Sequence, residues 1–200
     1  MALKTFVKVG NITNLSDARY CAGMGVDMLG FDVESKISPE KYAEMVGWLS
    51  GIRLVAEFEQ SSLQEINQIL QKYPVDAIQV QKEDILEELY QKTKDSEQSL
   101  IHIIFSSDSI ELLLYIAEKY TFIISFLLLK EAEKKSQKDI ENLAKKVPLL
   151  LQGNYTVTDI QNLLEHTSIS GIALEGSAEI APGLKDFDEL AEILEALEID

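Results

Sequence analysis

The side chains able to do chemistry in this 200-residue chain gather at the ends of short apolar runs. In chain order they are Gly10 and Asn11; Asp32, Glu34 and Lys36; Glu57 and Glu59; Gln79 and Gln81; Ser106 to Asp108; Leu129 and Lys130; Gln152, Gly153 and Asn154; and Glu175, Gly176 and Ser177. The carboxylates Asp32, Glu34, Glu57, Glu59 and Glu175 are the most reactive set. Two of them with separated pKa values would make an acid/base pair, and three or more would suit a divalent cation. Alternate strand residues face opposite sides, so several of the five are expected to turn outward into helix caps. His102 and His166 fall on different segments with no Cys or carboxylate at ligand spacing, which argues against a zinc site. Cys21 falls in a helical stretch after the first run and reads as packing. No G-x-S-x-G, P-loop or Rossmann glycine pattern is present. The residues therefore imply no metal and no cofactor.

The elements that must position these groups repeat with a regular period. Apolar, β-prone runs occur at Lys4–Val9, Met28–Phe31, Arg53–Phe58, Asp76–Val80, Leu100–Phe105, Thr121–Leu129, Val147–Leu151 and Ile169–Leu174, with starts separated by 24, 25, 23, 24, 21, 26 and 22 residues. Helix-period segments lie between them. Ser38-Pro39-Glu40 is an N-cap with proline at the first helical position, and Ser62 with Glu65 has capping-box spacing. Asp186 can cap a last helix whose Leu190, Ile193, Leu194 and Leu197 form one apolar stripe. The charged stretch Lys130 to Lys146 reads as one solvated helix. Strands apolar throughout and alternating with helices predict a parallel sheet covered by helices. Eight even units favour a single-domain α/β (β/α)₈ TIM barrel over a doubly wound sheet of five or six strands, although 200 residues is the lower end of barrel length. Chemistry in such a barrel is confined to the C-terminal ends of the strands, where the groups from Gly10 and Asn11 to Glu175, Gly176 and Ser177 lie.

Composition narrows the partners. Eighteen basic against 34 acidic residues leave a net charge of −16, which repels nucleic acid and anionic membrane. The apolar run from Phe122 to Leu129 is far short of the ~20 residues of a membrane helix. One cysteine and a start without signal-peptide character point to the cytoplasm. A small molecule is the partner class that remains, and composition leaves the oligomeric state open.

The motifs carry a family resemblance. The opening FVKVGNITNLSDARYCAGMGVDMLGF resembles the first βαβ unit of phosphoribosylanthranilate isomerase, whose usual segments are K-[IV]-C-G-[IL]-T and A-D-x-[LI]-G-F. PLLLQGNYTVTDIQNLLE is similar to its P-x-[IL]-L-A-G-G-L-T-P-x-N-V segment. GIALEGSAEIAPGLKDFDELAEILEAL is similar to its G-V-D-V-S-S-G-V-E-x-x-P-G-x-K-D terminus, most specifically in Ala181, Pro182, Gly183, Lys185 and Asp186. Gln79 stands where the family has the glutamine of Q-L-H-G. The resemblance runs end to end and implies a (β/α)₈ barrel and an Amadori rearrangement.

It also implies that this chemistry is lost. The family's general base is a cysteine at the end of strand 1, where this chain has Gly10. Its general acid is an aspartate at the end of strand 6, in an F-L-L-D segment that aligns with Phe126 to Leu129 and so puts Leu129 at the acid. Neither carries a titratable atom. The arginine-bearing loop after strand 2 is shortened to Asp32–Lys36, leaving Lys36 as its cation, and Ala173 replaces a substrate-contacting aspartate. The phosphate loops have become Glu131–Lys135, Gly153-Asn154 and Glu175-Gly176-Ser177. Three readings follow: a barrel without isomerase activity that serves as a ligand-binding, regulatory or assembly protein; an isomerase with relocated catalytic groups; or a different enzyme using the acidic mouth. The first is the expectation. With Glu175 in place of a small serine, the mouth is expected to prefer a neutral or cationic ligand to a phosphate dianion.

Overall fold

All eight apolar runs become strands, and helices connect them in the order β1 (Phe6–Gly10), α1 (Leu15–Gly23), β2 (Met28–Asp32), α2 (Pro39–Val46), β3 (Arg53–Glu57), α3 (Leu63–Leu70), β4 (Ala77–Val80), α4 (Glu83–Thr93), β5 (His102–Ser107), α5 (Ile110–Tyr120), β6 (Ile124–Leu129), α6 (Gln137–Ala144), β7 (Leu149–Gln152), α7 (Val157–His166), β8 (Gly171–Glu175) and, after a short hairpin, α8 (Asp188–Ala196). The computed structural model describes residues 2–93, 102–176, 179–181, 184–185 and 188–199. Strands β1 to β8 are parallel and close into a barrel. Closure is made by β8 on β1, with Phe6 opposite Gly171 and Gly10 opposite Glu175. The expected (β/α)₈ barrel is the observed fold. The hairpin, β9 (Glu179–Ala181) against β10 (Leu184–Lys185), is an addition that the apolar period does not announce.

Local chemistry starts the helices where the sequence predicts. Ser38 accepts from the Lys41 N–H with Pro39 in the first turn, and Ser62 and Glu65 form the full capping box. Thr156 and Asp159 form a second one at α7. Leu190, Leu194 and Leu197 of the α8 stripe are buried. Asp186, the expected cap, lies outside the described residues.

Two layers of core result from the alternation of strand side chains. Met28, Val55, Ala77, Ile104, Leu128, Leu150 and Ala173 fill the barrel interior, with Phe6 and Phe126 packed against them. The opposite faces, among them Val7, Val9, Leu29, Phe31, Leu127 and Leu129, pack against the helices. At the floor the Phe6 and Phe126 rings lie 4.8 Å apart, and the Arg53 guanidinium sits 4.9 Å from the Phe6 centroid. Cys21 is fully buried within α1 as packing.

The stretch Lys130 to Lys146 is not one helix. A 3-10 turn at Ala132–Lys134 comes first, after Glu131 in the left-handed region at φ 49°. Ser136 then caps α6 through the Asp139 N–H. The serine oxygen competes for helix-starting donors, so a new helix begins there. Among the described residues no helix is long and apolar enough to cross a membrane.

Candidate functional site

The C-terminal ends of the strands surround a cavity of about 110 Å³, lined by Lys8, Gly10, Asn11, Asp32, Lys36, Glu57, Phe58, Glu59, Gln79, Gln81, Lys130, Gln152, Ala173, Leu174 and Glu175. Its floor on the β1–β3 side is an ion pair. Lys8 and Glu57 point inward from β1 and β3, and the Lys8 ammonium donates to Glu57 Oε1 with only 3% and 15% of the two side chains exposed. Glu57 Oε2 accepts the Asn11 N–H at 3.1 Å. Asn11 holds a left-handed backbone, φ 55°, a conformation that asparagine tolerates better than most residues.

Space for this carboxylate is made by two glycines. A Cβ on Gly10 would lie 2.7 Å from Glu57 Oε1, and one on Gly30 would lie 2.1 Å from it. Glu57 therefore occupies the volume that side chains at positions 10 and 30 would take. Lys8 and Gly30 fall within the family-like opening segments but carry no site role on sequence alone. The available signal was alternation: Lys8 is two residues before Gly10 and shares its face of β1.

The five carboxylates have separate employments. Asp32 closes its own loop, accepting from the Glu34 and Ser35 N–H groups at 3.1 and 3.0 Å and from the Ser35 hydroxyl at 2.7 Å. Lys36 stands 3.7 Å from Asp32 and donates to Asn11 Oδ1 at 2.9 Å. Glu34 turns away to brace the loop after β3, accepting the N–H groups of Glu59 at 2.9 Å and Ser61 at 2.7 Å, and that of Gln60. Partial burial pushes its carboxyl up, but the bonds from Ser61, Glu59 and Gln60 together outweigh burial and hold it below the usual range. Glu59 lies 4.0 Å from Lys130. Glu175 accepts from Gln152 Nε2 at 2.7 Å. Of the several carboxylates expected to turn outward into helix caps only Glu34 turns away, and to a loop rather than a cap, while Asp32, Glu57, Glu59 and Glu175 line the cavity without converging on a common point.

Leu129 is corrected by the structure. It is fully buried in the layer between barrel and helices and does not line the mouth. Pairing of β5 with β6 slips there, since Ile103 is opposite Ile124 whereas Ile104 is opposite Phe126. The extra residue, Ser125, shifts the alternation by one, so Phe126, Leu128 and Lys130 face inward. Lys130 holds the mouth-facing position at the end of β6.

Gly153, Asn154 and Gly176, the described glycine and asparagine positions of the phosphate loops, stand apart from the mouth cavity. Gly153 lies beneath Glu133, whose Oε2 would be 2.2 Å from a Cβ there. Asn154 lines a second groove, about 480 Å³, between the 3-10 turn, α6 and α7. Burial, then the Glu133 and Asp159 carboxylates, push the Tyr155 phenol beside them well up. Gly176 binds the Gly10 carbonyl through its N–H at 2.8 Å and seals β8 to β1. It does not line the cavity, and Ser177 lies outside the described residues. Gln79 lines the cavity, 7% exposed, and its Oε1 has no hydrogen-bond donor among the described residues.

Comparison with known proteins places this barrel. The chain is 26% identical to an N-(5'-phosphoribosyl)anthranilate isomerase of Geotalea uraniireducens, over 95% of this chain and 97% of that one. It is 24% identical to the enzyme of that name from a Sulfurihydrogenibium species, over 94% and 97%. Among solved structures, phosphoribosyl anthranilate isomerase from Thermotoga maritima superposes with a TM-score of 0.77 at 19% identity, over 96% of this chain and 98% of that one, and shows the shared fold. With residues 7–196 matching the family pattern of N-(5'-phosphoribosyl)anthranilate (PRA) isomerase, this chain belongs to that family.

Proposed function

We propose that this member of the family has lost isomerase turnover and acts in the cytoplasm as a binding or regulatory barrel for a small neutral or cationic molecule. The carrying observation is the Glu57 carboxylate, held by Lys8 over Gly10 and Gly30. The family resemblance puts the cysteine base at position 10, and its side-chain volume is filled here by a carboxylate whose two oxygens already have partners. Loss of one proton-transfer group costs about 10² to 10⁴ in rate. A cavity of about 110 Å³ is also small against the ~300–1,000 Å³ of ordinary ligand pockets.

The anion preference of the family is opposed by charge. Glu133 lies over Gly153 and Glu175 lines the mouth, in the loops where the resemblance places the phosphate. Like charges ~4 Å apart repel by about 4 kcal/mol at the effective dielectric of a protein surface, against about 0.3–1 kcal/mol, at most ~2, from a helix N-terminus. Repulsion wins. A turnover assay with phosphoribosylanthranilate, followed by loss of substrate fluorescence, is expected to give no rate above the uncatalysed one.

A second reading keeps the reaction with relocated groups. It is favoured by the names of the relatives and by one carboxylate, Glu57, and one ammonium, Lys130, lining the same cavity. Turnover that disappears in both Glu57→Gln and Lys130→Met, or rescue of a tryptophan auxotroph lacking the isomerase, would establish this reading in place of the first.

A further inference from the structure

Counting charges and acceptors around the mouth leaves a specific surplus. Three lining cations pair with three lining carboxylates: Lys8 with Glu57, Lys36 with Asp32, and Lys130 with Glu59. Glu175 also lines the cavity, and among the described residues no cation pairs with it; Gln152 supplies one hydrogen bond to its Oε1. One negative charge is left over. Deeper in, the Gln79 side chain is more than nine-tenths buried, lines the same cavity and, among the described residues, leaves Oε1 without a donor. On the next strand the inward-facing Ser106 hydroxyl, 1% exposed, is likewise without a partner among the described residues. Buried polar atoms are almost always satisfied, and an acceptor left bare costs stability, so an orphan at the mouth of a barrel marks a place where a ligand completes the bonding.

Resting on the reading of the mouth as a binding site, we propose that the cavity receives a small primary ammonium group, which donates to Gln79 Oε1 and is charge-balanced by Glu175. An ammonium brings three donors, no acceptor and one positive charge, which matches the surplus in both kind and sign. A carboxylate or phosphate would bring further acceptors to groups that already lack donors, and would add to the excess negative charge. Cavity size restricts the occupied part of the ligand to a few heavy atoms.

The test is a calorimetric titration of the full chain with n-propylammonium, with n-propanol and propionate as its neutral and anionic counterparts and inorganic phosphate as a further anion. Saturable n-propylammonium binding at least tenfold tighter than n-propanol, with no binding of propionate or phosphate, is expected. Glu175→Gln, on an exposed side chain, and Gln79→Met should each weaken it tenfold or more. Gln79→Met should also raise the melting temperature of the ligand-free protein, because it removes a buried acceptor without a donor. No saturable n-propylammonium binding, anions binding as tightly as the amine, or an amine affinity unchanged by both substitutions would overturn the proposal. The turnover assay on the same preparation keeps the two readings apart: isomerase activity overturns the proposed function, whereas absence of both turnover and amine binding overturns the ammonium site alone.

Discussion

The floor and the mouth of this barrel are built from the same eight strands and solve opposite problems. At the floor and middle, Met28, Val55, Ile104, Leu128 and Leu150 are fully buried side chains without polar atoms, so their stability depends on volume alone. At the mouth, Lys8 is nearly as buried, yet it carries a charge that, among the described residues, only Glu57 answers. Chains of hydrogen bonds then run from Glu57 to the Asn11 amide and from Lys36 to the Asn11 side chain. The contrast teaches where this chain is free to change. Floor residues can exchange for others of like size, whereas a mouth residue is fixed by its partner, here one 49 residues away.

The largest effect is expected from breaking the buried pair. Glu57→Leu leaves the Lys8 ammonium buried without a counter-charge and should cost about 3–5 kcal/mol, read from the urea midpoint at constant m-value. Adding Lys8→Met should restore most of that loss, since an apolar pair of similar volume is often neutral. A double variant as unstable as the single one would mean that the mouth is held by packing, like the floor.

Ile104→Ala tests the other side of the comparison, with an expected loss of about 2–5 kcal/mol from transfer and cavity terms together. No second substitution at the mouth should rescue it. A smaller cost follows from crowding. Gly30→Ala or Gly10→Cys drives a Cβ against Glu57, which is tied to Lys8 and cannot simply swing aside, so each is expected to destabilise by about 1–3 kcal/mol. Glu57→Ser alone loses the Lys8 counter-charge and is itself destabilised, but on that background Gly10→Cys should cost less than in the wild type, and thermal unfolding of both single variants and the double measures the difference.

The smallest effect concerns Glu34. Its folded-state pKa is depressed, so its contribution is fully present above the unfolded value of ~4.3 and is lost as pH falls through the folded value. With much of the carboxylate in contact with solvent, the loss should be no more than about 1 kcal/mol. Hydrogen exchange at the Glu59, Gln60 and Ser61 amides should be protected in the wild type relative to Glu34→Gln near neutral pH, and the two should converge in acid. Equal exchange at both pH values would remove the brace from the account.

Much of the fold was legible because its signals are local. The runs at Met28 and Arg53 begin at the strand starts themselves. The caps at Ser38 and Ser62 act within three residues, so their spacing alone locates α2 and α3. Thr121–Leu129 was less clean: Phe122 is apolar yet 62% exposed, and the strand begins only at Ile124, because hydrophobicity alone does not say whether a residue turns a corner or enters a sheet. Lys130 to Lys146 misled in a similar way, since Ser136 reads equally as a solvated helix residue and as the cap that restarts one.

By itself the sequence determined the eight-strand barrel, the end at which polar groups gather and the family to which the motifs belong, because each depends on spacing along the chain. Only the tertiary structure decided what those polar groups do. The slip at Ser125 buried Leu129 and turned Lys130 to the mouth, and nothing in β6 alone reveals it, since register is set by the neighbouring strand. The volume left by Gly10 was taken by Glu57, and Glu34, near in sequence to the mouth residues, was drawn off to a loop. A carboxylate's role is fixed by the donors and charges that surround it in space, and here those donors stand on strands and loops distant in the chain.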